Sequence, residues 1–595
     1  MRLLHKTKQR TFLLLLLFTF IWSILLFRLW WIQLGAVHHF SRHGIDLVKS
    51  AVKQRQQVIT LHSGRGDILD RHGYSFTGQE RLALIVFPLA QGSLQDREQI
   101  KQVATVIGRN EEEIERLFLP GKEPNMLRDA EGELISLTKE QAEQINQMQI
   151  PGIVALAVTE RYRGDGLAQH AVGYVSQNPS YIKTVYEAEW QNGKMNLDRA
   201  VGAAGLEHSF DRFLQGVEPS TLSYVVDGQG HPLRGLELRY QKQENHFYPL
   251  SLVTTLDHKI QREVERVADQ AGITEGSIVV LDVETGDVLA MLSRPTFDQT
   301  HVDVQAAGWQ NHAVKQLPPG SVFKTVVAAA ALAEGVVLPT ERFECEGEYG
   351  RYGFSCWKHG GHGSITLEEA FADSCNIAFA QIANRLGAEK IEQYAQRMGL
   401  TQPVGWSTPR LFKIEHFRQI DGEQPGRVFV KNTSSRDEGA LIQTAIGQRD
   451  VRITPLAAAN LMVTLLHGGQ PRQVRLVKEI TYQNGTSFHR FASQPLSVEG
   501  IDKVTAHKLT RLLRAVVEEG TGTSLAALPW PAAGKSGTAE TETAQGMRNH
   551  QWFVGYAPAD QPRYAIAVVA ENQPVTASHK GMKAFGLVVE ALASP

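Results

Sequence analysis

Pro318-Pro319-Gly320-Ser321-Val322-Phe323-Lys324 runs directly into an alanine-rich segment, residues 325–332. The prolines and glycine stop any preceding element, so the pattern predicts a buried helix that ends near Gly335. Residues three apart share a helix face, which would let Ser321 and Lys324 meet. A serine in the first helical turn also has an unpaired backbone N–H, a donor to a developing oxyanion. Burial would lower the pKa of Lys324, which could then activate Ser321 as a nucleophile.

Two further polar motifs follow along the chain. Asp373-Ser374-Cys375-Asn376 lies between two predicted helices, where its hydroxyl and amide would project into a cleft. Gly534-Lys535-Ser536-Gly537-Thr538 lies beside a predicted hairpin, and as an edge strand it would offer a cation, hydroxyls and backbone N–H groups to a bound carboxylate. Each motif alone also has a simpler meaning. The first two fit helix caps, and the third is common by chance.

Strand signals at both ends of the C-terminal half enclose alanine-rich helical stretches. Residues 277–292 predict one hairpin around a glycine-containing turn, and residues 551–570 predict a second. This pattern predicts an α+β domain whose antiparallel sheet is assembled from distant parts of the chain. The preceding block, residues 36–250, alternates short strand-like runs with charged helices and contains no comparable nucleophile motif.

The order and separation of the three motifs resemble those of serine acyl-transferring enzymes that β-lactams inhibit. Over nearly its whole length the chain resembles the class B, monofunctional penicillin-binding proteins. Other segments that carry the resemblance are residues 65–73, 161–162, 168–173, 205–207, 255–257 and 293–298. The chain departs from the family at Arg163, where proline is frequent, and at Gln448-Arg449, where Gln-Gly is usual. Lys-Ser-Gly instead of Lys-Thr-Gly keeps the hydroxyl.

The resemblance implies an α+β architecture in three parts. Residues 1–35 would form a cytoplasmic tail and a single transmembrane helix. Residues 36–250 would form an elongated α+β dimerisation or pedestal domain. Residues 251–595 would form the transpeptidase domain, in which an α-helical subdomain flanks the antiparallel sheet.

The resemblance also implies a reaction, the cross-linking of peptidoglycan stem peptides. Ser321 would attack the bond between two D-alanines, with Lys324 as base, and an amine would resolve the acyl-enzyme. Ser374 and Asn376 would relay the proton and orient the acyl amide, and Lys535 would add positive potential. Ser536, Gly537 and Thr538 would bind the substrate, with the N–H groups of Ser321 and Thr538 as oxyanion hole. β-Lactams would trap Ser321, and the reaction needs no cofactor.

Two other functions share these motifs. A D,D-carboxypeptidase or a β-lactam-hydrolysing or -sensing receptor would let water reach the same ester. A membrane scaffold would leave the chemistry to a partner, which by family likeness is a polytopic glycosyltransferase. The intact motifs and the large N-terminal block favour the transpeptidase.

The N-terminus predicts the compartment. Residues 12–32 are almost wholly apolar, and their 21 residues match the roughly 20 needed to cross a bilayer. No small-residue cleavage site follows, which favours a retained anchor over a signal peptide. Four basic residues precede the run, so the positive-inside rule predicts a cytoplasmic N-terminus and an extracytoplasmic catalytic domain. An uncleaved core helix of a soluble protein is the alternative.

The three cysteines lie close together in sequence, at Cys345, Cys356 and Cys375, with His362 between them. Three thiolates and one imidazole would complete a tetrahedral structural zinc site. Some class B relatives carry a metal beside the second motif, and their spacing implies these four ligands. The alternative is a Cys345–Cys356 disulfide with Cys375 as a small buried apolar residue.

Composition excludes several other classes. The 595 residues include 61 Lys+Arg and 63 Asp+Glu, which gives a net charge of −2 and argues against a nucleic-acid partner. Hydrophobic residues make up 42% of the chain, as in ordinary globular proteins, which excludes a disordered or many-pass membrane protein. Three cysteines exclude a disulfide framework.

Overall fold

The computed structural model describes residues 2–38, 46–47, 50, 56–87, 97–117, 124–130, 132–150, 152–216, 218–225, 238–241, 245–338, 340–350, 353–431, 433, 437–544 and 546–594. The chain divides into two compact units, each built from separate segments. Unit 1 comprises residues 1–63, 80–160 and 218–244, and unit 2 comprises residues 64–79, 161–217 and 245–595. The predicted boundaries at residues 35 and 250 remain predictions.

The helices of the described residues follow in chain order. They are α1 (Arg2–Trp30), α2 (Arg97–Ile107), α3 (Glu111–Leu117), α4 (Lys139–Gln147), α5 (Gln169–Val172), α6 (Pro179–Val185), α7 (Glu187–Gln191), α8 (Gly205–Ser209), α9 (Asp211–Leu214), α10 (His258–Ala271), α11 (Lys324–Ala333), α12 (Leu367–Ala372), α13 (Asn376–Arg397), α14 (Glu438–Ala445), α15 (Pro455–Leu466), α16 (Lys503–Glu518) and α17 (Lys580–Ala593).

The strands are numbered in the same way. They are β1 (Gln56–His62), β2 (Ile68–Leu69), β3 (Thr77–Val86), β4 (Asn125–Met126), β5 (Ile153–Tyr162), β6 (Val175–Gln177), β7 (Ala200–Gly202), β8 (Ser220–Val225), β9 (Arg239–Gln241), β10 (Ser251–Thr254), β11 (Gly276–Asp282), β12 (Val288–Arg294), β13 (Arg342–Cys345), β14 (Glu348–Tyr349), β15 (Phe354–Ser355), β16 (Gly363–Thr366), β17 (Ser407–Leu411), β18 (Ile414–Arg418), β19 (Val477–Thr481), β20 (Ser487–Arg490), β21 (Ala533–Thr543), β22 (Gly546–Ala557) and β23 (Tyr564–Pro574).

The first helix, α1, is apolar and long enough to cross a membrane. A candidate span of 28 residues covers Lys8–Gly35, and none of its most apolar window is buried against the rest of the protein. Helical Phe, Leu and Trp side chains that remain exposed to this extent are stable only in an apolar surrounding. The helix is therefore a possible membrane span.

Unit 1 has a sheet of order β4-β3-β5. Side chains of β3 alternate between its two faces, because successive residues of a strand point to opposite sides. Leu84 and Val86 pack with the helical residues Ile100 and Ile145, whereas Ile85 lies in a second apolar cluster on the other face. A capping box, in which the Thr138 and Gln141 side chains each bind the other's backbone, begins α4.

The main sheet of unit 2 is antiparallel, in the order β12-β11-β23-β22-β21. Ile278 and Val280 of β11 pack in one cluster with residues of α10 and α17. Val279 and Leu281 point to the opposite face, into the larger core that includes α15. This three-layer arrangement confirms the predicted α+β fold, with a sheet assembled from both ends of the domain, and it places β21 at an edge.

A buried ionic network lies elsewhere in unit 2. Arg65 donates to Glu207 at 2.6 Å and to Asp211 at 2.7 Å. Arg161 donates to Glu207 at 2.6 Å, and the Tyr186 hydroxyl donates to Asp211 at 2.6 Å. Three of the sequence segments that carried the family resemblance therefore meet in one network that joins distant parts of the chain.

Candidate active site

Ser321 lies in a single 3-10 turn, Gly320–Phe323, that leads directly into α11. The turn packs against the edge strand β21. Gly320 has φ 55°, and a Cβ at this position would lie only 2.4 Å from Thr538 O, so the approach requires glycine. Gly320 N–H also donates to Gly447 O at 3.0 Å. The first and third motifs are thereby held side by side.

The second motif supplies the hydrogen-bond acceptors around Lys324. Lys324 Nζ donates to Ser374 O at 2.7 Å, to Ser374 Oγ at 3.2 Å and to Asn376 Oδ1 at 2.8 Å. Ser374 adopts a left-handed conformation with φ 56°, which is costly for a residue with a side chain. As predicted, the motif lies between two helices: α12 begins with the capping box of Thr366 and Glu369, and α13 begins at Asn376.

The charge on Lys324 is unfavourable where it lies. The side chain is fully buried, and burial lowers its pKa from 10.5 to about 7. Its hydrogen-bond acceptors are uncharged. Among the described residues no hydrogen bond joins Lys324 to the Ser321 hydroxyl, although the spacing places the two residues one turn apart. Lys324 is thus poised to exist as a neutral amine near neutral pH, and its contact with Ser321 remains a prediction.

Lys535 of β21 is also fully buried. Burial and the positive charge of Lys324 lower the pKa of Lys535 well below its ordinary value. Its Nζ donates to Ser536 O at 3.2 Å and Ser536 Oγ at 3.4 Å. Gly537 packs against the loop before Ser321. A Cβ at this position would lie 2.5 Å from Pro319 O, so packing requires glycine here. Thr538 is exposed on the same edge.

Two polar residues at this edge are absent from the predicted site. Thr521 Oγ1 lies 2.9 Å from Ser536 Oγ. Gln448 Nε2 donates to Thr538 O at 3.1 Å, and its Oε1 accepts from Glu540 N at 3.2 Å. Thr521 has no sequence signal beyond its glycine-containing neighbourhood, whereas Gln448 matches the glutamine of the family's Gln-Gly pattern; each reaches β21 through space. Gln448 occupies backbone positions that an added peptide strand would otherwise use.

The three cysteines and His362 converge beside the second motif. Their ligand atoms all lie within 4.8 Å of one another. His362 Nδ1 lies 3.5 Å from Cys345 Sγ and 3.4 Å from Cys356 Sγ, and Cys356 Sγ lies 4.0 Å from Cys375 Sγ. All three thiols are free and buried, so the alternative Cys345–Cys356 disulfide is not formed.

These separations can be compared with the edges of a zinc tetrahedron. Zn–S and Zn–N bonds of about 2.3 and 2.1 Å give edges of about 3.8 Å between sulfurs and about 3.6 Å between sulfur and nitrogen. The hydrogen bond to Cys375 lowers the pKa of Cys356, and the same contact, together with burial, raises the pKa of Cys375. A divalent cation would remove this opposition by stabilising both thiolates. The four side chains therefore fit zinc in number, type and separation.

The loop that carries Cys356 also supports the second motif directly. Asn376 Nδ2 donates to Ser355 O at 3.3 Å, and the Trp357 indole donates to Asp373 O at 2.9 Å. Trp357 packs edge-on against His362. Cys375 is itself the central residue of Ser374-Cys375-Asn376. Any ligand that fixes the four side chains would therefore also restrain the acceptors of Lys324.

A serine at a helix start, a buried lysine and an edge strand rich in donors are the parts that serine acyl transfer requires. Residues 276–592 match the penicillin-binding protein transpeptidase domain, and residues 60–246 match the penicillin-binding protein dimerisation domain. The chain belongs to the class B, monofunctional penicillin-binding proteins.

Individual relatives cover most of the chain. Stage V sporulation protein D of Bacillus subtilis is 27% identical, over 96% of this chain and 84% of its own. Peptidoglycan D,D-transpeptidase MrdA of Acinetobacter baumannii is 26% identical, over 89% of this chain and 80% of its own. Peptidoglycan D,D-transpeptidase PbpA of Mycobacterium tuberculosis is 32% identical, over 54% of this chain and 67% of its own. A chain from a solved peptidoglycan synthase complex superposes with a TM-score of 0.68 at 24% identity, covering 98% of both chains, which shows a shared fold.

Proposed function

We propose that this protein is a peptidoglycan D,D-transpeptidase that cross-links stem peptides through an acyl-enzyme on Ser321 and is inhibited at that serine by β-lactams. The observation that carries the proposal is the convergence of Lys324 on Ser374 and Asn376, beside the turn that holds Ser321. The names of two relatives, both peptidoglycan D,D-transpeptidases, support the choice of substrate.

Acylation follows from these positions. Ser321 Oγ attacks the carbonyl between the two terminal D-alanines, and the neutral Lys324 amine takes its proton. Ser374 lies within hydrogen-bonding distance of Lys324 and relays this proton from Lys324 to the departing D-alanine nitrogen, so that Lys324 becomes neutral again. The bond from that carbonyl carbon to nitrogen breaks, D-alanine leaves, and the acyl group remains on Ser321.

The edge strand stabilises the charges of the same step. The backbone N–H groups of Ser321 and Thr538 point to the developing oxyanion, and one such donor is typically worth about 3 kcal/mol. The Ser536 and Thr538 hydroxyls hold the terminal carboxylate, and the buried Lys535 donates to Ser536 beside them. In the second step an amine of another stem peptide attacks the ester carbonyl, loses a proton to Lys324 and restores the Ser321 hydroxyl.

The test is labelling and product analysis. Full-length protein treated with fluorescent penicillin should carry the label on the peptide that contains Ser321, and Ser321→Ala should abolish it. Incubation with stem peptide should yield cross-linked product only when an acceptor amine is present. Free D-alanine without cross-linked product, in the presence of acceptor, would instead identify a carboxypeptidase.

The proposal includes a structural zinc ion held by Cys345, Cys356, His362 and Cys375. Such an ion would supply no chemistry to acyl transfer. It would fix the loop 353–363 against the second motif, and it would give three buried sulfurs a common partner. Metal analysis of tag-free protein should find one zinc per chain and less than about 0.1 in Cys356→Ser. Metal-free wild-type protein with full acylation activity would contradict this part.

We also propose that the protein works in a membrane-bound complex. Helix α1 would span the membrane with its N-terminus in the cytoplasm, because basic residues precede the apolar run. The partner would be a polytopic glycosyltransferase, supported by the fold shared with a chain of a peptidoglycan synthase complex. Cross-linking in membranes followed by mass spectrometry should recover that partner, and a protease added outside intact cells should remove the catalytic domain.

A further inference from the structure

Thr521 belongs to none of the three motifs but lies between two of them. It follows α16 in a turn of residues 519–523. Its backbone N–H donates to the carbonyl of Ala372, the last residue of α12, at 3.1 Å. The preceding Gly520 permits this approach, because a Cβ there would lie 2.2 Å from the same oxygen. The turn therefore connects the end of α12 with β21.

The Thr521 hydroxyl has two possible acceptors. Ser536 Oγ lies at 2.9 Å, whereas Ala372 O lies at 3.4 Å and already accepts the Thr521 N–H. Either hydroxyl can donate across the 2.9 Å contact, and the arrangement in which Thr521 donates to Ser536 is the one that leaves the Ser536 proton for a ligand. Lys535 Nζ approaches the same Ser536 oxygen at 3.4 Å.

In that arrangement both lone pairs of Ser536 Oγ accept hydrogen bonds, from Thr521 and Lys535, and the Ser536 proton is free to donate. A hydroxyl carries one proton and two lone pairs. When the lone pairs accept from Thr521 and Lys535, the Ser536 proton must find a different acceptor. A carboxylate is the complementary group, since it only accepts and forms charge-assisted hydrogen bonds.

We infer that Thr521 is a positioning residue of this site: by donating to Ser536 Oγ, it turns the Ser536 hydroxyl into a donor to the terminal carboxylate of the stem peptide or β-lactam. The inference rests on the proposed function, in which Ser536 holds that carboxylate. Thr521 itself touches no substrate atom. It acts before the bond-forming step, on the initial non-covalent complex.

The test compares Thr521→Val with Thr521→Ser in the full-length protein. Valine keeps the shape of threonine without its hydroxyl, and serine keeps the hydroxyl. The dissociation constant of the initial complex with fluorescent penicillin and the acylation rate constant are determined separately from the concentration dependence of labelling. Thr521→Val should weaken initial binding by about 5- to 10-fold, the value of one net hydrogen bond, and change the rate constant less. Thr521→Ser should stay within about twofold of wild type.

A double-mutant cycle with Ser536→Ala separates positioning from a general structural effect. If Thr521 acts through Ser536, Thr521→Val adds no further loss of binding in the Ser536→Ala background. An equal loss in both backgrounds, or wild-type binding by Thr521→Val, would overturn the inference. Melting temperatures identify misfolded variants, and Thr521→Ala replaces valine in the cycle if valine disturbs the turn. Absence of Ser321 labelling in wild-type protein would instead refute the proposed function.

Discussion

Two buried sites in unit 2 shift the pKa of their basic side chains in opposite directions. Burial alone would lower the pKa of Arg65, but the adjacent Glu207 and Asp211 raise it above its ordinary value. Lys324 is equally buried, yet its Nζ donates to a carbonyl, a hydroxyl and an amide oxygen. Burial therefore prevails there and lowers the pKa of Lys324 to about 7.

The difference separates architecture from chemistry. A buried cation paired with carboxylates keeps its proton and joins segments that are distant in sequence. A buried amine surrounded by neutral acceptors gives up its proton near neutral pH and can serve as a base. The family-like segments at Arg65, Arg161 and Glu207 thus build the structure, whereas Lys324 has the environment that a basic amine requires.

The comparison predicts its largest effect at Lys324. Lys324→Arg should lower the rate of acylation by fluorescent penicillin about 10³-fold or more, because a guanidinium remains protonated and cannot act as base. Lys478→Arg, at an exposed lysine of β19, is the matched control and should acylate normally. Acylation within tenfold of wild type by Lys324→Arg would show that the buried amine is not the base.

In the buried ionic network around Glu207, a substitution is expected to lower the free energy of unfolding. Glu207→Gln leaves Arg65 and Arg161 without their shared carboxylate and should lower the free energy of unfolding by about 3–5 kcal/mol. Glu479→Gln, which breaks the pair with the exposed Arg490, should cost about 1 kcal/mol or less. Denaturant midpoints measure both. Equal costs for the two variants would remove the distinction between buried and exposed pairs.

The pH dependence of acylation should report the neutral amine. With its pKa at about 7, Lys324 is protonated and inactive in acid, so the rate should rise as pH increases through 7 and level off about one to two units above. A lysine at the ordinary value of 10.5 would instead give a rate that still rises tenfold per unit at pH 9. The second profile would mean that burial does not lower the pKa of Lys324.

The smallest effect is expected from removing the anchor, because every residue of both buried sites lies after residue 60 in the sequence. A protein that begins after Trp31 should be released from the membrane and should bind penicillin as the full-length protein does. Its melting transition should also be unchanged. Lost penicillin binding in a well-folded truncation would tie the anchor to the site itself.

Local patterns predicted much of this molecule. The hairpin of β11 and β12, the edge position of β21 and the two helices around the second motif follow from alternation, turn residues and cap chemistry, which act over a few residues. The left-handed conformation of Ser374 and the roles of Thr521 and Gln448 could not be predicted in this way. Each depends on a contact between elements that are far apart in sequence. Patterns of neighbouring residues do not predict such contacts.

The pairing of β11 with β23 has a consequence for biogenesis. Gly276 and Ala570 are partners in adjacent strands, although they come from opposite ends of the domain. Non-local pairing of this kind forms slowly, because the entropy cost of closing a long loop comes before the contacts that offset it. During synthesis the central strand of the sheet, β23, is among the last segments to emerge. The hairpin of β11 and β12 precedes it without its partner β23, and the Ser321 turn precedes β21. A nascent chain of this protein should therefore remain unable to react with penicillin until almost its whole length has been exported.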